Sequence, residues 1–155
     1  RVLTMKQNSD LIKGYEWVST LDSRTSQICQ ALDGRRFDIG EGPLPPIHYG
    51  CRSVTTPVLS ENFEFLKTGS TRASKGAEGG KQVNANQTYY SWLKTQPKSF
   101  QENAIGVKKS ALLRNGGLTS DEFAKLSLNR NFEALTLDEM YQKQPSIFDN
   151  AGIKP

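Results

Sequence analysis

Hydrophobic and polar positions follow two patterns along the chain, a period of two in its first third and a helical period in its last. Residues 15–21, YEWVSTL, alternate aromatic or aliphatic with polar side chains, which predicts a half-buried strand. In RTSQICQAL, residues 24–32, Ile28 and Leu32 stand four apart, predicting a short helix that ends at the Asp33-Gly34 turn. RRFDI predicts a short strand, GEGPLPP a stiff loop, and RSVTTPVL a second β-branched strand that Pro57 confines to an edge or an end. Trp17, Ile28, Leu32 and Phe37 are the apolar residues expected to pack together beneath the PPIHYGC loop.

Residues 68–88, TGSTRASKGAEGGKQVNANQT, break both patterns. With four glycines and little to bury, they predict an extended or mobile surface loop. Helical signals follow. Thr88 stands as an N-cap before YYSWL, with Tyr89, Trp92 and Leu93 on one face. Pro97 suits the first turn of PKSFQENAI, Gly106 ends it, and VKKSALLRN runs into Gly116-Gly117. Thr119 with Glu122, and Thr136 with Glu139, form two capping boxes in series. The expected class is α+β. It comprises a small strand-and-turn module in residues 1–66, a Gly-rich basic loop in 67–87, and short helices in 88–155 packed on the first part as one domain.

Charge sharpens this division. Residues 67–114 carry nine basic side chains against Glu78 and Glu102, while residues 1–66 carry seven basic and eight acidic and residues 115–155 four and six. Within the band, Lys94, Lys98, Lys108, Lys109 and Arg114 fall on predicted helices. They are the candidates for weak contact with DNA that is indifferent to sequence; a solvated surface in a basic protein is the plain alternative. Mean hydropathy is −0.58, and no apolar run approaches the ~20 residues of a membrane helix, so no membrane partner is expected.

The soft ligands are concentrated. The chain holds one histidine and two cysteines, all within DSRTSQICQALDGRRF and PPIHYGCRS. His48 and Cys51 have the two-residue spacing with which one tight turn presents two ligands to one ion, and Cys29 offers a third. Position 26, where the other half of a C-x-x-C pair would lie, is Ser26, and serine is a poor zinc ligand. Three readings stay open: a zinc site on Cys29, His48 and Cys51, completed by water or by a carboxylate such as Asp22 or Asp33; a metal-free core of packed thiols; and a Cys29–Cys51 disulfide. Arg24, Arg52 and Arg72 each sit beside hydroxyl residues. They suit either an anion site or the ordering of their own loops. No P-loop, dinucleotide-binding, zincin or nucleophile-elbow motif occurs.

Taken in order, WVSTLDSRTSQICQALDGRRF, GPLPPIHYGCRS, GSTRAS, TYYSWLKTQPKSFQENAIG, LLRNGGLTSDEF, LTLDEM and FDNAGI resemble the Mu F-like minor head proteins, also called phage head morphogenesis proteins. The resemblance spans roughly residues 15 to 153. In that family's usual form, cysteines stand at the positions of Ser26 and Cys29, followed by the histidine and cysteine of His48 and Cys51; many members also have cysteine in place of Ser53. The resemblance therefore implies a cysteine–histidine module that lacks one ligand here. It further implies a structural protein of the virion head interior that meets the portal or major capsid protein and packaged double-stranded DNA, and is assembled in the host cytoplasm. Such proteins usually carry a helical part before this module, so a longer parent chain is expected. The competing expectation is a metal-assisted nuclease or other hydrolase, for which Asp22, Asp33 and Asp38 would have to gather round an ion.

Overall fold

The computed structural model describes residues 12–59 and 71–155, and the fold is α+β. The first 11 residues, and residues 60–70 with the start of the Gly-rich stretch, lie outside the described part. Strand β1 (Ile12–Val18) is the centre of a three-stranded antiparallel sheet, between β2 (Arg36–Asp38) and β3 (Val54–Leu59). Tyr15 and Trp17 alternate onto the buried face of β1, as the period-two pattern requires. Gly14 faces β2 so closely that a Cβ there would lie 2.2 Å from the Phe37 carbonyl oxygen, so no larger residue fits the register. Pro57 sits in β3, an edge strand, opposite Tyr15.

Helix α1 (Gln27–Leu32) connects β1 to β2, with Ser26 at its N-cap. The turn after it needs Gly34 at φ 81°, a left-handed conformation that residues with a Cβ avoid. Its buried face carries Cys29, Ala31 and Leu32. The loop from β2 to β3 folds back over the sheet and is pinned by the Tyr15 hydroxyl, which donates to the carbonyls of Glu41 (2.5 Å) and Pro43 (2.8 Å).

Residues 71–84 are extended and bury little, as expected, but they are not a loop. They form a regular hairpin of β4 (Thr71–Gly76) and β5 (Gly79–Asn84), paired from Thr71↔Asn84 to Gly76↔Gly79. Its glycines flank the tight turn and do not signal a lack of structure. Its order comes from the backbone ladder and from docking rather than from apolar burial. Lys75 N–H donates to the Leu21 carbonyl at 2.8 Å, and Ala77 N–H donates to Gln96 Oε1 at 3.0 Å.

Seven helices are described in all. After α1 come α2 (Tyr89–Leu93), α3 (Lys98–Ile105), α4 (Val107–Asn115), α5 (Ser120–Leu126), α6 (Leu137–Lys143) and α7 (Pro145–Ala151). Both capping boxes form. Thr119 accepts from Glu122 N–H at α5, and Thr136 accepts from Glu139 N–H at α6. One hydrophobic cluster runs from Trp17, Leu21 and Leu32 through Tyr89, Tyr90, Trp92 and Leu93 to Leu112, Phe123, Met140 and Phe148. Ile28 and Phe37 pack against that cluster, as expected of them, and so do Ile47 and Cys51 of the overlying loop. Hydrogen bonds from the Tyr90 hydroxyl to Gln30 Oε1 (3.3 Å) and from Arg35 to the Ala124 carbonyl join the strand module to the helices, and edge-to-face contact of Tyr90 with Phe123, centroids 4.7 Å apart, ties α2 to α5. No helix among the described residues is long and apolar enough to cross a membrane.

Candidate metal centre

Two segments bring the soft ligands together. Cys29 comes from the buried side of α1, and His48 and Cys51 come from the turn in which Cys51 N–H donates to the His48 carbonyl. Gly50, at φ 75°, allows that turn to close. The ligand atoms of Cys29, His48 and Cys51 all lie within 4.8 Å of one another, close enough to bind one metal ion. Cys29 Sγ is 3.2 Å from His48 Nε2 and 3.8 Å from Cys51 Sγ.

The geometry of the pair separates the open readings. Both cysteines are free, and 3.8 Å is far from the ~2.05 Å of a disulfide. Two thiolates on a tetrahedral zinc, each at ~2.3 Å from the metal, stand about 3.8 Å apart. The donor set thus fits a metal in both chemistry and spacing, without rearrangement of the sulfurs. Histidine is also prepared for the task. Its Nδ1 lies 2.9 Å from the Tyr49 carbonyl, which can only accept, so Nδ1 carries the proton and Nε2 presents its lone pair to the thiols. Ser26 faces the same point, with its Oγ 2.8 Å from His48 Nε2. The Ser26 hydroxyl therefore donates to Nε2, and it accepts from Cys29 N–H at 3.4 Å.

Electrostatically the two thiols differ. Burial pushes the Cys29 thiol above the ordinary cysteine value. Burial acts the same way on Cys51, but hydrogen bonds from the backbone at Ile47 and Ser53 outweigh it and leave that thiol below the ordinary value. Behind the cluster lies a buried polar hub centred on Ser19, which the sequence pattern did not single out. Ser19 Oγ donates to the Cys29 carbonyl (2.6 Å), accepts from Trp17 Nε1 (3.0 Å) and lies 3.1 Å from Ser53 Oγ. The only signal for it in the sequence is a serine where the alternation of β1 would extend its buried face.

The arginines do not assemble an anion site of three guanidinium groups. Arg52 is paired with Asp22 through two bonds of 2.7 and 2.9 Å, which hold that carboxyl below its usual range. Arg72 is spent on Asp33, at 2.9 and 3.0 Å, and on the carbonyls of Ser19 and Gln87, so it orders its surroundings and docks the hairpin. Burial pushes the Asp33 carboxyl up, opposed by Arg72. Arg24 is exposed, and among the described residues its guanidinium has no ion pair. Asp38, exposed on β2, does not join Asp22 and Asp33, so the three carboxylates do not converge as the nuclease expectation requires.

Nor do the five helical cations form one free face. Lys94 donates to the Leu118 carbonyl, Lys98 lies 3.8 Å from Glu102, and Arg114 bonds Gln101 Oε1 at 2.7 Å. Lys109 is half-buried, which lowers its pKa, and it points to the Leu135 carbonyl at 3.5 Å. Lys94, Lys98 and Lys108 remain exposed. Compared with family models, curated proteins and solved structures, the chain matches none.

Proposed function

We propose that this chain is the cysteine–histidine module and helical tail of a phage minor head protein, a structural component that binds zinc and meets packaged DNA near the portal. The observation that carries the reading is the convergence of Ser26, Cys29, His48 and Cys51 on one point. Those are the four positions at which the resemblance places the family's ligands, and they come from two segments separated by a strand and a proline-rich loop. The metal would serve structure, tying the loop to α1, with zinc favoured by its preference for thiolate and imidazole. DNA contact rests on the exposed Lys94, Lys98 and Lys108, a smaller set than the charge band suggested, and is accordingly weak. Each neutralised phosphate adds about −0.9 to the slope of log affinity against log salt.

The test has two parts. Zinc titration of the purified chain should give one ion per chain, and Ser26→Cys should bind it more tightly and melt higher with metal present; a chain that takes up no zinc would end the metal reading. Imaging of intact particles should place the chain against the portal ring. The nuclease reading is tested by incubating DNA or RNA with the protein and magnesium or zinc: degradation beyond that of a His48→Ala control would replace the structural role with an enzymatic one.

A further inference from the structure

We propose that a metal held by Cys29, His48 and Cys51 keeps its fourth position for an oxyanion of the phosphate class, seated in an adjoining hollow by Ser26 and Arg24. The inference rests on the metal reading above and adds a ligand to it. Three protein ligands are the number found where zinc retains an exchangeable position, filled by water or by a substrate. The side chain beside the fourth place is that of Ser26, whose neutral hydroxyl is a weak competitor for it.

The hollow is beside that place. It measures about 290 Å³, and its lining includes Ser26, Cys29 and His48 of the cluster together with Thr20, Arg24 and Arg52. That volume is at the small end of ligand sites, which run from roughly 300 Å³, and has room for a compact anion. Charge selects the sign. Two thiolates cancel the charge of a divalent ion, and Arg52 is balanced by Asp22. Arg24, an exposed lining residue without an ion pair among the described residues, leaves the hollow with a positive charge. A guanidinium fork and a hydroxyl together offer more donors than one carboxylate oxygen can use, which favours phosphate.

Ser26 acts as a positioning residue. Its present bond to His48 Nε2 uses the lone pair that a metal would take. Metal binding therefore frees the hydroxyl, which then donates to the group in the fourth position. Cysteine at residue 26 would occupy that position itself and shut the anion out.

Cobalt(II), which replaces zinc and has visible bands sensitive to its ligands, reads this directly. With the protein cobalt-loaded, inorganic phosphate should shift the bands saturably. Arg24→Gln should raise the half-saturating phosphate about two- to fivefold, the size of one exposed charge contact, with the phosphate-free spectrum unchanged. Ser26→Ala should keep the response but weaken it, and Ser26→Cys should strengthen the thiolate-to-cobalt band and abolish the response. An oligonucleotide with a 5′-phosphate, compared with its 5′-hydroxyl twin, separates the two sources of the anion. A shift with the phosphorylated strand alone identifies a nucleic-acid end as the ligand, and a shift with free phosphate at equal concentration identifies the free ion. Absence of any thiolate-to-cobalt band would overturn both this inference and the metal reading. A normal band that phosphate does not move, or an equal phosphate response in Ser26→Cys, would overturn this inference alone.

Discussion

The strand module and the helical region share one core but are held by different means. Around Trp17 the module buries polar groups in quantity: Ser19, Gln30, Asp33, Ser53 and Thr55 are all buried, and none of their buried side-chain N or O atoms lacks a hydrogen-bond partner. Around Trp92 the helices bury mainly aromatic rings packed edge to face, with Tyr89 at 5.5 Å and Phe100 at 5.7 Å, together with aliphatic side chains and fewer polar ones, Gln101, Ser110 and Ser127. Apolar packing is non-directional and tolerates substitution of similar volume, whereas a buried hydrogen-bonded hub fixes one arrangement and fails when a partner is lost. The difference teaches where precision is needed. The module must hold side chains from two segments at bonding distance to one another, and the helices must only give it a rigid floor.

The largest expected effect tests the hub against the floor. Trp17→Ala removes a fully buried indole and should cost about 3–5 kcal/mol in denaturant unfolding. Phenylalanine at the same place isolates the polar part. Trp17→Phe loses the bond to Ser19 and should cost about 1–3 kcal/mol more than Trp92→Phe, whose indole makes no side-chain hydrogen bond among the described residues. Equal costs at the two tryptophans would erase the distinction.

Next in size is the ion pair that docks the hairpin. Arg72→Met leaves the fully buried Asp33 carboxylate without its cation and should cost about 3 kcal/mol, with hydrogen exchange accelerated over residues 71–84. Adding Asp33→Asn should recover part of the loss, because no unpaired charge then remains buried.

On the helical side, Thr119→Ala and Thr136→Ala each remove a capping box and should cost about 1 kcal/mol, additively, because they cap different helices. Urea midpoints of the single and double variants measure this.

The smallest effect belongs to Asp22. Its carboxyl is held below the ordinary value by Arg52, so the pair's contribution is present above pH ~4 and is lost as pH falls through the lowered value. Arg52 is about half exposed, so the contribution is below ~1 kcal/mol and shrinks with salt. In Arg52→Gln the acid limb of the stability curve should flatten by that amount; an unchanged limb would show that the pair contributes nothing.

These contrasts also explain what the sequence disclosed. The helices were legible because their signals are local: Thr119 and Glu122, or Pro97 and Gly106, lie within about three turns of each other. The cluster was legible because a histidine and two cysteines are rare enough here for their spacing to carry information. The hairpin was not. Thr71–Gly76 and Gly79–Asn84 lack apolar alternation, and what orders them is the backbone ladder together with Leu21, Asp33 and Gln96, which lie outside the segment. The roles of the arginines were hidden for the same reason. Arg52 meets a carboxylate 30 residues away and Arg72 one 39 residues away, and nothing in either neighbourhood marks the partner.

The Tyr15 hydroxyl has a further effect, on the length of chain left free. By gripping the carbonyls of Glu41 and Pro43 it divides the crossing from β2 to β3 into short spans, each closed at both ends: Tyr15 to the cluster, then the cluster to the Arg52–Asp22 pair. Loop-closure entropy grows only with the logarithm of length, so doubling the span between Pro43 and His48 would cost only about 0.6 kcal/mol. Inserted residues there would bulge outward from fixed ends and leave His48 and Cys51 in register with α1. The crossing therefore behaves as a row of independent spans, and its proline-rich section is the place where this protein can vary in length without disturbing its ligands.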